Sequence, residues 1–191
     1  MKKILFLLFA CIISGVYAEG DTKNIKITQQ DEKYIVAIND NEGKIIYKLE
    51  YNSTPILTYY NDVLTGITVS LGNPNSQTIF YDQIKKIVST AFENVFAVEA
   101  DKQLVVYCEN NKIAVKNIFS KEKPFFIIRD YSPTASIFSA INEIKFIQPD
   151  KLQMSYMVGP NYTDKEEIID IKRTTNGMDV NQEPCRASIR N

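Results

Sequence analysis

The chain contains no histidine and no tryptophan, and only three of its 191 residues are cysteine. Without histidine there is no Ser-His or Cys-His nucleophile arrangement and no histidine-based pH switch. The usual zinc sites go as well, because the two cysteines that follow the leader described below cannot complete four ligands. Basic charge is not in excess: Lys and Arg number 22 against 23 Asp and Glu. That balance argues against nucleic acid, which needs a concentrated basic face, and against charge-driven binding to anionic lipid.

The first 18 residues are the most directive. Lys2 and Lys3 precede an uncharged, mostly apolar run from Ile4 to Val16, and Val16-Tyr17-Ala18 ends it before the polar Glu19-Gly20-Asp21. This is the order of a secretory signal peptide cut after Ala18. The run is shorter than the roughly 20 residues a permanent membrane helix needs, and no second long apolar run follows. The expectation is a periplasmic or secreted protein with no integral membrane segment after cleavage. A rival reading takes Leu8-Phe9-Ala10-Cys11 as a lipidation site. The bulky Phe9 and the short stretch Ile4 to Ala10 count against it.

Lys2 and Lys3 leave with the leader, so the mature 19–191 chain carries 20 basic and 23 acidic residues, a net charge of −3. Its length suits one domain, read as 19–173, followed by a polar tail, 174–191. Cys108 and Cys185 remain, and in an oxidising compartment the expectation is a Cys108–Cys185 disulfide closing a long loop.

The apolar pattern is mostly period two and rich in β-branched and aromatic residues, the signature of strands. Strands are predicted at 24–28, 33–38, 44–51, 56–60, 63–71, 78–81, 95–99, 103–109, 112–119, 125–129, 136–140, 143–147, 152–158 and 166–171. Turns fall at Asn39–Gly43, where Gly43 suits a positive φ, and at Gly72–Ser76. Residues 83–92 fit a short helix capped by Asp82 or irregular strand, with the β-branched Ile87-Val88-Ser89-Thr90 favouring the latter.

A weak repeat runs through this pattern. Ile25–Asp31, Val95–Asp101 and Ile144–Asp150 are each a strand ending in an Asp-containing turn and followed by a second strand, and Ile56–Tyr81 reads as a degenerate fourth copy. The fold class is therefore all-β: an antiparallel β-sandwich or small barrel, with a small or incomplete β-propeller of about four blade-like repeats as the alternative.

No residue qualifies as catalytic, cofactor-binding or metal-ligating on sequence grounds. Asp31, Asp62, Asp82, Asp101, Asp130 and Asp150 lie in or near turns, where Asp bonds its own backbone. Asp164, Glu166 and Glu167 cluster beside Asn161, but Lys165 interrupts them and the spacing matches no calcium loop; a solvated loop is expected. Ser132 and Ser136 lack a base. The doublets Tyr59-Tyr60 and Phe125-Phe126 are the candidate interaction residues, because two adjacent aromatics in an alternating strand cannot both face one core. Asn52-Ser53-Thr54 and Asn161-Tyr162-Thr163 are glycosylation sequons, relevant in a eukaryotic secretory route; Pro55 follows the first. Two lysines directly after Met1 favour a bacterial envelope.

The function expected by elimination is a non-catalytic domain binding a protein partner in the envelope or extracellular space, with an inhibitor or immunity-type role as its concrete form. A carboxylate-dependent glycan hydrolase and a strand-donating assembly subunit are the alternatives.

Overall fold

The structure, a computed structural model, describes residues 24–134, 136–174 and 177–182. The chain is all-β and forms four antiparallel sheets in sequence order. The first holds β1 (Ile25–Gln30), β2 (Lys33–Asn39) and β3 (Ile45–Tyr51). The second holds β4 (Ile56–Tyr59), β5 (Leu64–Gly72), β6 (Asn75–Asp82) and the short β7 (Ile87–Val88), with β8 (Phe92–Glu93) also on β6. The third holds β9 (Val95–Glu99), β10 (Leu104–Glu109), β11 (Lys112–Asn117) and β12 (Phe125–Ile127). The fourth holds β13 (Ile141–Gln148), β14 (Lys151–Val158), β15 (Thr163–Thr174) and β16 (Gly177–Gln182). Each repeat unit read from the sequence falls in a different sheet.

Neighbouring sheets pack face to face, as in a β-sandwich, and no barrel closes among the described residues. Val36 and Ile38 of the first sheet meet Ile67, Ile79 and Tyr81 of the second. The other face of the second gives Leu64, Phe80 and Phe92 to Val105 and Tyr107 of the third. The other face of the third gives Leu104, Val106 and Cys108 to Leu152, Met154, Tyr156 and Ile169 of the fourth. Alternation decides this layering, since odd and even residues of β10 serve different interfaces. Leu104–Cys108 is accordingly an unbroken apolar run, buried throughout, because its sheet is covered on both faces. Edge-on rings join the second sheet to the third: Phe80 to Phe92 at 5.7 Å and Phe92 to Tyr107 at 4.9 Å between centroids.

The turns follow their side chains. Asp40 accepts from the N–H groups of Glu42 and Lys44 at 3.0 and 2.9 Å, and Gly43 takes φ +83°. Asp31 itself adopts φ +55°, which Asp tolerates better than most side chains. No helix forms at 83–92. Asp82 accepts from the N–H groups of Ile84 and Lys85 as a helix cap would, but Lys86 turns to φ +56° and sends the chain into β7. Ser136–Ala140, expected as a strand, is instead a single 3-10 turn, Ile137–Ala140, capped by the Ser136 hydroxyl.

β16 occupies part of the stretch read as a polar tail. Strand pairing at a sheet edge uses backbone groups, so a stretch with few apolar residues can still form it. Cys108 is buried as a free thiol. Its expected partner Cys185 lies outside the described residues, as does the leader.

Candidate functional site

The Tyr59-Tyr60 doublet splits as alternation requires. Tyr60 turns inward onto Phe80, with 5.9 Å between ring centroids, and packs against the core between the second and third sheets. Burial pushes its hydroxyl pKa up. Gly66 makes room for this ring, since a Cβ there would stand 2.9 Å from Tyr60 Cε2. Tyr59 faces the other way and is 49% exposed. It sits on β4, at one edge of the second sheet, with Ile56 63% exposed on the same strand.

β3 is likewise an edge strand and joins β4 through residues 52–55. It carries the exposed Ile45, Ile46 and Leu49. Leu49 pairs with Val36 and so shares its inward face. Tyr59 shares the face of Leu57, which packs on the same core. Leu49 and Tyr59 therefore each lie on the face that its sheet turns toward the other, and both remain exposed.

The Phe125-Phe126 doublet is used on both sides. Phe125 packs against the core shared with the fourth sheet and Phe126 against the core shared with the second. Lys112 Nζ lies 5.6 Å from the Phe126 ring centroid.

The acidic residues divide between turns and interior. Asp31, Asp62, Asp101, Asp130 and Asp150 are exposed. Asp101 accepts from Asn61 Nδ2 at 3.2 Å, and Glu99 from the Lys102 N–H at 2.6 Å. Asn61, Glu99 and Asp101 line a shallow cleft of about 390 Å3 with Tyr60, Phe146 and Pro149. The Glu99 bond is local to the β9–β10 turn, whereas the Asp101 bond ties that turn to the segment after β4. Asp82 is fully buried. Burial alone would raise its pKa; the N–H groups of Lys85 and Ile84, the Gln103 amide at 2.9 Å and the Lys85 ammonium at 3.5 Å outweigh that and hold it below the usual carboxylate value. Ser132 is buried and donates to the Gly159 carbonyl at 2.7 Å.

Glu167 corrects the solvated-loop expectation. It lies within β15, buried against the third sheet, and pairs with Arg129 Nε. Tyr156 donates to the same carboxylate at 2.9 Å, and the Tyr131 ring packs edge-on to Tyr156 at 5.2 Å. Arg129 also donates through Nη1 to the Ile128 carbonyl at 2.8 Å, while its buried Nη2 has no partner. Burial opposes the arginine's charge, but the hydrogen bond and charge of Glu167 raise its pKa further. Burial also pushes both tyrosine hydroxyls up. The cluster fastens the segment after β12 to the fourth sheet, where Tyr131 also bridges to Val158.

Among the described residues, no three His, Cys, Asp or Glu side chains group as a metal site, and no helix is long and apolar enough to cross a membrane.

No family model matches the sequence, and no curated protein matches it. Among solved structures, the chain is similar to the crystal structure of Hsv2 from Kluyvelomyces marxianus at 8% identity and a TM-score of 0.36, over 84% of this chain and 67% of that one. A likeness at that level carries no argument about function.

Proposed function

We propose that this chain is a secreted, non-catalytic protein-binding domain of the cell envelope or extracellular space, with an inhibitor or immunity-type role against an envelope-acting enzyme as its concrete form. One observation supports the reading most directly: Tyr59 and, on the opposite face of β4, Ile56 are large side chains left exposed on an edge strand of the second sheet, as Leu49 is on the edge strand β3 of the first. Exposed apolar side chains along sheet edges are candidates for an interaction surface, and Tyr is a favoured anchor. The leader, residues 1–18, supports export.

A strand-accepting role draws on the same edge. Among the described residues β4 pairs with β5 on one side alone, so its outer backbone groups are placed to receive a strand. β3 is less suited. Ile38 pairs with Tyr47 and Asn39 with Ile45, so Ile46 bulges from the ladder, and bulges blunt edge pairing.

The test is capture from the source envelope fraction with tagged mature protein. Wild type should retain a defined partner, and Tyr59→Ala with Ile56→Lys should lose it while circular dichroism stays unchanged. Turnover of an envelope glycan, abolished by changing a single Asp or Glu, would reject this function and promote the hydrolase.

A further inference from the structure

The chain segments that end the first strands of three successive sheets gather at one end of the fold. Tyr60 and Asn61 follow β4, Glu99 and Asp101 lie where β9 ends, and Phe146 and Pro149 where β13 ends. The turns after β9 and β13 are the Asp-containing turns of the sequence repeat. All six residues line the cleft of about 390 Å3, a volume within the range of ligand pockets.

The cleft carries charge of one sign. Among the described residues it is lined by two carboxylates, Glu99 and Asp101, and by no Lys or Arg. Both carboxylates are held in place. Glu99 Oε2 accepts from the Lys102 N–H at 2.6 Å, and Asp101 Oδ1 accepts from Asn61 Nδ2 at 3.2 Å. Each bond uses one oxygen, and a carboxylate offers two. Half-buried Tyr60 and Phe146, with the exposed Pro149, add apolar wall. The complement of this surface is a cation on an apolar stem. Arginine fits it best: its planar guanidinium pairs with carboxylates and lies against aromatic rings, and its methylenes cover apolar surface.

We propose that the cleft receives an arginine side chain of the protein partner. The inference deepens the proposed function and rests on it for the partner. The cleft begins one residue beyond Tyr59, the end of β4, so a protein seated on that edge adjoins it.

The chemistry is tested without the partner. The mature chain, residues 19–191, is titrated to millimolar concentration with acetyl-arginine N-methylamide and followed by amide NMR. Saturable shifts are expected at Asn61, Asp101 and Gln148, and the neutral isostere acetyl-citrulline N-methylamide should give none. Glu99→Gln with Asp101→Asn should weaken the arginine probe about tenfold and leave amides outside the cleft unmoved. Both substitutions keep an acceptor for the turn bonds, so the fold is preserved. No shift from arginine, equal shifts from citrulline, or arginine binding unchanged in the double variant would overturn the proposal. Shifts from N-acetylglucosamine in place of arginine would overturn it too and assign the cleft to glycan. A captured partner that the double variant still retains in full would leave the protein-binding reading standing and overturn the arginine.

Discussion

Arg129, in the segment that follows β12, and Glu167 of β15 meet as an ion pair, each side chain only 9% exposed, although 38 residues separate them in sequence. Removing one charge strands the other in the interior, at a cost of about 3–5 kcal/mol. Glu167→Gln keeps an acceptor for Tyr156 and isolates the charge effect. Urea denaturation should show a loss in that range, and Arg129→Met with Glu167→Leu should recover most of it. An unchanged midpoint for Glu167→Gln would show that the pair does not hold the segment after β12 on the fourth sheet.

Asp82 links stability to acid. Its folded pKa lies below the ordinary value, so its contribution is present above the unfolded pKa, about 4, and is lost as pH falls through the folded one. Asp82→Asn should cost about 1–3 kcal/mol at neutral pH. The gap to wild type should shrink as pH drops below about 4, since the variant does not titrate there. Parallel stability curves across that window would contradict this assignment.

The close approach of Gly66 to Tyr60 predicts a packing defect. Gly66→Ala should displace the Tyr60 ring from Phe80 and destabilise the fold by about 1–3 kcal/mol, as overpacking does. Gly66→Ala combined with Tyr60→Ala should be less than additive, because the clash partner is gone.

Cys108 offers a probe of global opening. Burial pushes its thiol pKa up, so native protein should label slowly with a thiol reagent and quickly once unfolded. A linked Cys108–Cys185 peptide in a non-reducing map would instead show the chain end stapled to β10.

Much of the layering was legible because burial on both faces writes itself into sequence: Leu104–Cys108 has no polar break, whereas β14 alternates inward Leu152, Met154 and Tyr156 with half-buried Gln153 and Ser155. Glu167 was legible in part. It shares parity with Ile169 and Ile171, the inward positions of a strand already predicted over 166–171, but its acidic neighbours suggested a loop. Its pairing with Arg129 was not legible, since local pattern carries no information about a contact between residues 38 apart in sequence. The 3-10 turn at Ile137 escaped for a related reason: the Ser136 hydroxyl bond that caps it competes locally with strand pairing.

The binding account is tested most directly by photo-crosslinking from position 59. A benzophenone side chain replaces Tyr59 in one protein and the exposed loop residue Lys123 in another, and each is irradiated in the source envelope fraction. The account predicts one discrete adduct from position 59, mapped to a single partner protein, and none from position 123. No adduct at position 59, or the same adducts from both positions, would contradict it.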